Sequence, residues 1–154
     1  MQDLLSLYLH IPFCQKRCGY CDFVTFAGME NYLDPYIKAL CAEIIWYGKH
    51  LAADKQIHTI YIGGGTPSIL NPDQVGAIMK EVERALPCLG EIEVTIEANP
   101  GTLSRDKLDG YLSAGINRIS LGMQSARNKD LKLLDRIHDF SHVNKAIEDA
   151  NSSG

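Results

Sequence analysis

Four times along this chain a run of side chains suited to a strand gives way to a run spaced for a helix. Leu4 to Ile11 reads as the first strand. Leu33, Ile37, Leu40, Ile44, Tyr47 and Leu51 then recur at steps of four and three, which places them on one helix face. Ile57 to Ile62 reads as a second strand. Asn71-Pro72-Asp73-Gln74 follows, with a cap residue, a proline at the first helical position and a glutamine three after the cap. Val75, Ile78, Met79, Val82 and Leu86 carry that helix on. Glu91 to Glu97 is a third strand, and Ser104 caps a helix containing Leu108 and Leu112. Ile116 to Met123 is a fourth strand. Leu131, Leu134 and Ile137 mark a short helix, and His142 to Ala150 another. Repeated β-then-α units with right-handed crossovers predict an α/β fold built on a parallel sheet or barrel. No low-complexity linker divides the chain, so one domain is expected.

The strands also say how the sheet is covered. Leu5, Leu7, Leu9 and Ile11 alternate with Ser6, Tyr8, His10 and Pro12. Ile92, Val94 and Ile96 alternate with Glu93, Thr95 and Glu97, and Ile119, Leu121 and Met123 with Ser120, Gly122 and Gln124. Strands buried between two helix layers are apolar on both faces. These have one apolar face for helices and one polar face for a ligand, water or another polar layer. A curved sheet with helices outside fits that pattern, as a partial (β/α) barrel. Four units are too few to close a barrel, and the fourth strand would be left as an edge. The chain is therefore expected to be the N-terminal part of a longer protein.

Composition narrows the function. Apolar residues make up 45% and charged residues 22%, as in ordinary globular domains, and the net charge of −4 includes no basic run. Nucleic acid and anionic membranes are poor partners for such a surface. No apolar stretch approaches the ~20 residues of a transmembrane helix. The N-terminus reads directly as a strand with no leader pattern, so a cytoplasmic location is expected.

Three of the five cysteines fall in Cys14-x3-Cys18-x2-Cys21, just after the first strand. In a reducing compartment such a group points to metal or redox chemistry rather than cross-links. A single loop carrying three thiolates can wrap an iron–sulfur cluster and leave one iron open. Zinc is the alternative and would want a fourth ligand, which His10 could supply. Cys41 and Cys88 lie apart and read as packing residues. Gly63-Gly64-Gly65-Thr66-Pro67 follows the second strand, either as a plain turn or as a close approach to ligand at the carboxyl end of a parallel strand. Glu97 and Gln124 end the third and fourth strands on the polar face, and Asn99-Pro100-Gly101 makes a turn. By themselves Glu97 reads as a solvated strand-end carboxylate, Arg136 as an exposed helix arginine and Tyr8 as a core tyrosine. Histidine is a common haem ligand, but nothing local distinguishes His10, His138 or His142 for that role.

The stretch YLHIPFCQKRCGYCDF, with Tyr20 just before the last cysteine, resembles the cluster loop of radical S-adenosylmethionine (SAM) proteins. IYIGGGTPSIL, IEANPGTL and GINRISLGMQS are similar, in order, to the branch holding oxygen-independent coproporphyrinogen III oxidases and HemW-type haem chaperones, so that the likeness runs from about Leu5 to Arg136. The resemblance implies a radical SAM core, with residues 1–154 as its N-terminal part. It implies a [4Fe-4S] cluster on Cys14, Cys18 and Cys21, and SAM contacts from Tyr8, Tyr20, Gly64, Gly65, Thr66, Glu97, Gln124 and Arg136. Gly64 to Thr66 would meet the amino group, Gln124 the ribose and Arg136 the carboxylate. It further implies reductive cleavage of SAM, an electron donor of flavodoxin or ferredoxin type, and haem or a porphyrinogen as cargo or substrate. The oxidases carry a further cysteine two residues after the third, where this chain has Phe23. That departure favours a haem chaperone serving haem-accepting target proteins; the alternative is conversion of coproporphyrinogen III to protoporphyrinogen IX.

Overall fold

The computed structural model describes residues 4–50, 52 and 55–154. In chain order the elements are β1 (Leu4–Ile11), β2 (Phe13–Cys14), β3 (Phe26–Ala27), α1 (Leu33–His50), β4 (Gln56–Gly64), α2 (Pro72–Ala85), β5 (Cys88–Ala98), α3 (Arg105–Ser113), β6 (Arg118–Leu121), α4 (Asn128–Leu133) and α5 (Phe140–Ser153). Short 3-10 turns precede α1, α2 and α3. Four strands form a parallel sheet in the order β1-β4-β5-β6, which leaves β6 at an edge as the strand count implies.

The one-sided polarity of the strands is what builds the layers. Leu9, Ile11, Ile57, Ile60, Ile62, Val94 and Ile96 are buried, and they share a core with Ile37, Leu40 and Ile44 of α1 and Val75, Ile78, Met79 and Val82 of α2. The opposite face carries Tyr8 and His10, Tyr61 and Gly63, Thr95 and Glu97, then Arg118 and Ser120, side by side in register. Thr95 lies on that polar face and is still fully buried, and Arg118, its register partner on β6, donates to its hydroxyl at 3.2 Å. β2 and β3 pair separately, Cys14 opposite Ala27, and so pin both ends of the cysteine loop.

Helix starts follow the sequence. Asn71 and Gln74 complete a reciprocal capping box on α2, and Ser104 caps α3. Other expectations shift. Tyr47 is exposed; Gly48 takes the buried position at the end of the α1 face. Leu51 lies outside the described residues. In α3, Tyr111 is buried where Leu112 was expected, and its hydroxyl donates to the Leu70 carbonyl at 2.6 Å. The fourth strand is only Arg118–Leu121, since the chain leaves the ladder at Gly122 to turn into the site. Ile137 lies beyond α4 and is exposed.

Gly48 is required by a close approach. A Cβ there would collide with the carbonyl oxygen of Ala85 and come within 2.9 Å of its Cβ, so α1 and α2 touch through backbone. Gly48→Ala is expected to lower stability by about 1–3 kcal/mol through overpacking, read as a fall in the denaturant midpoint at unchanged slope.

Candidate functional site

The carboxyl ends of the strands surround a cleft of about 430 Å3. Cys14, Cys18, Tyr20 and Cys21 line one side, with Phe23. Gly64, Gly65 and Thr66 come from the end of β4, Glu97 from β5, and Gln124 and Arg136 from the segments after β6. Its volume falls within the usual range for small-molecule sites, roughly 300–1,000 Å3.

Each wall is fixed by local bonds. Gly65 N–H donates to the Ile11 carbonyl at 2.9 Å and Thr66 N–H to Phe13 at 2.8 Å, so the glycine turn is stitched to the chain entering the cysteine loop. Gly64 has φ +124°, a region that only glycine enters without strain. A Cβ on Gly65 would lie 2.8 Å from Cys14 Sγ. The Thr66 hydroxyl donates to that same sulfur at 3.4 Å. Glu97 accepts from Gly64 N–H at 3.0 Å and from the Tyr61 hydroxyl at 2.8 Å, which aims its carboxylate along the polar face toward the turn.

The cysteine loop closes on itself and across the cleft. Cys21 N–H donates to the Cys18 carbonyl, and Arg17 donates to that of Cys21. Lys16 pairs with Asp135 at 3.2 Å. Arg136 donates through Nη1 to Cys18 Sγ at 3.4 Å and to the Tyr20 hydroxyl at 3.3 Å, and through Nη2 to the Gly122 carbonyl at 2.9 Å. Its Nε is buried with no protein partner. A buried cationic donor without an acceptor marks a place for an anionic ligand group.

Of the cluster ligands and SAM contacts that the resemblance implies, all line the cleft except Tyr8. Its ring stacks on Tyr61 lower on the polar face, and its hydroxyl lies 3.0 Å from His10 Nδ1. Burial and then the Glu97 carboxylate push the Tyr8 phenol above its ordinary pKa, so it stays neutral. His138 is buried with both ring nitrogens in hydrogen bonds, which removes it as a haem ligand. Cys41 and Cys88 sit in α1 and at the start of β5, and burial raises both thiols' pKa. Sequence reasoning passed over Asn99 and Ser120 as lining residues. Both follow from strand polarity: Ser120 pairs with Glu97 in register, and Asn99 shares Glu97's parity two residues on.

A sequence profile of the Radical SAM superfamily matches residues 8–154. The chain belongs to that superfamily. Among radical SAM relatives, it is 38% identical to the heme chaperone HemW of Haemophilus influenzae and 37% identical to that of Escherichia coli K12. Each match covers 97% of this chain and 40% of the relative. The chain thus spans about two fifths of the length of these curated relatives. Among solved structures, the Escherichia coli coproporphyrinogen III oxidase HemN, described as a radical SAM enzyme, superposes with a TM-score of 0.90 at 30% identity. That match covers 99% of this chain and 35% of HemN. Methylornithine synthase PylB shares the fold, with a TM-score of 0.60 at 15% identity over 99% of this chain and 43% of PylB. The four-stranded parallel sheet with its helices is thus of the radical SAM (β/α) barrel type.

Membership of the superfamily implies a [4Fe-4S] cluster and SAM, and the residues present fit both. Three free cysteines line one wall, of which Cys14 is buried and Cys18 and Cys21 are half-buried. Among the described residues no three His, Cys, Asp or Glu side chains converge on a single-ion site. Three thiols from one short loop facing a common cleft suit the thiolate ligation of an iron–sulfur cluster. The same cleft is lined by the Glu97 carboxylate, and beside Cys18 the Arg136 guanidinium keeps a buried Nε without a protein partner, which suits an anionic ligand group. Among the described residues no helix is long and apolar enough to cross a membrane.

Proposed function

We propose that this chain is the cofactor-binding part of a haem chaperone, and that its cleft holds a [4Fe-4S] cluster and SAM. The observation that carries the cofactor reading is the convergence of three thiols, a glycine turn, Glu97 and Arg136 on one cleft. Cys14, Cys18 and Cys21 would hold three irons and leave the fourth open to ligand. When bound, the reduced cluster supplies the electron that cleaves the sulfonium carbon–sulfur bond.

The chain's own residues bind and orient. Carbonyls of the Gly64–Gly65 turn and the Thr66 hydroxyl suit the ammonium group, and Arg136 suits the carboxylate. Gln124 would take the ribose hydroxyls, and Glu97 would accept hydrogen bonds from the nucleoside. The Tyr20 hydroxyl, held by Arg136, closes the cluster side of the cleft. Tyr8 backs the polar face from below and keeps the Tyr61–Glu97 pair in line.

The haem reading rests on the HemW relatives and on Phe23, which lies 71% exposed at the cleft mouth where the oxidases place a further cysteine. An electron donor of flavodoxin or ferredoxin type and haem-accepting proteins would be the partners. The likeness to HemN supports the alternative, an oxidase of coproporphyrinogen III. The full-length protein is expected to bind haem and pass it to an apo-acceptor, while leaving coproporphyrinogen III unconverted under anaerobic reducing conditions. Stoichiometric protoporphyrinogen IX would select the oxidase instead.

A further inference from the structure

Gln124 reaches the cleft from a strained backbone. Its φ is +67°, uncommon for a residue with a side chain. Ser125 N–H donates to the Met123 carbonyl at 2.9 Å, closing a γ-turn around Gln124. A γ-turn with positive φ at its centre is rare and strained, and persists only when its surroundings hold it.

The group that holds it is His138. This side chain is 4% exposed, and its Nε2 lies 3.1 Å from the Met123 carbonyl, the acceptor that closes the turn. Its Nδ1 lies 3.1 Å from the Asn99 side-chain amide, on the segment leaving β5 just after Glu97. Asn99 is itself fixed, its N–H donating to Ser68 Oγ at 3.0 Å. His138 also follows Arg136 by two residues, on the loop whose guanidinium spans from Gly122 to Cys18. One buried imidazole thus touches or adjoins all three segments that bring Glu97, Gln124 and Arg136 to the cleft.

We infer that His138 is a positioning residue for SAM, and that the Nε2–H bond to the Met123 carbonyl is the contact through which it acts. The inference rests on the proposed SAM site. Burial lowers the pKa of the ring, and the nearby Arg136 and His142 lower it further, against the Met123 carbonyl and Asp139, which raise it. The neutral ring has one N–H for two oxygen partners. The Met123 oxygen is backbone and cannot turn away, whereas the Asn99 amide can rotate to present its NH2 to Nδ1. The N–H of Gly101, an exposed residue, now donates to Asn99 Oδ1 at 3.1 Å and can turn to water instead.

Glutamine can place a donor where Nε2 stands, and asparagine can place one only where Nδ1 stands. In the anaerobically reconstituted full-length protein, His138→Asn is expected to weaken SAM binding about tenfold, the value of one hydrogen bond. His138→Gln is expected to stay within about threefold of the parent. Iron and sulfide content should be unchanged in both, with affinity measured by equilibrium dialysis. Equal affinities for the two variants, or affinity that falls only in step with iron content, would overturn the inference. A parent protein with its full cluster but no SAM binding would instead overturn the functional reading. Should a variant fail to fold, the ring nitrogen shifts of His138 in the oxidised, cluster-loaded parent decide: an Nε2–H tautomer is expected, and Nδ1–H overturns the assignment.

Discussion

Anaerobic reconstitution of a Cys18→Ala variant is expected to give protein with essentially no bound iron or sulfide and no broad thiolate-to-iron absorption band. Each of the three thiols would hold one corner of the cluster, so losing one breaks the chelate rather than loosening it. Removing even an outer-shell partner of a metal ligand costs roughly 10–100-fold in affinity, and a lost ligand costs more. No spare thiol can step in, because Cys41 lies in α1 and Cys88 opens β5, both away from the cleft. The variant should still fold, since Cys18 is half-buried and outside the core. Full iron and sulfide in Cys18→Ala would refute the ligand assignment, and a tetrahedral zinc signature in the parent would refute it equally.

Gly65→Ala is the second large effect, and it acts through space alone. The added methyl would lie 2.7 Å from the Phe13 carbonyl oxygen and 2.8 Å from Cys14 Sγ. Neither neighbour can yield easily. Phe13 and Cys14 are buried, and Phe13's carbonyl already accepts from Thr66 N–H. Either β2 shifts with its cysteine, or the turn lifts out of the cleft. Overpacking of this kind costs about 1–3 kcal/mol, and here the strain falls on the site. The expected result is a modest fall in melting temperature, loss of at least half of the reconstituted iron, and no measurable SAM binding. Normal cluster content with normal SAM affinity would show that the turn is not the cradle proposed.

Much of this could be read from the chain itself, for identifiable reasons. Alternation in β1, β5 and β6 named the buried face and the ligand face, because a strand's period of two leaves no ambiguity once one face is apolar. Asn71 and Ser104 marked helix starts because their side chains satisfy particular backbone N–H groups. What escaped depends on contacts distant in sequence. Tyr47 fits the α1 periodicity as well as Gly48 does, and only the approach of Ala85 decides between them. Leu112 is as apolar as Tyr111, yet the carbonyl of Leu70 gives Tyr111 the buried place. The early end of β6 falls at Gly122, a strand-breaking residue that the alternation on either side of it outweighed. His138 had no local mark at all, since its partners Asn99 and Met123 come from other loops.

The three cysteines differ in shelter. Cys14 sits buried in a paired strand, while Cys18 and Cys21 ride on a loop braced by partly exposed contacts such as Lys16 with Asp135. A cluster held by all three would therefore rest on one anchored sulfur and two carried by the loop, and oxygen or a chelator would meet the outer pair first.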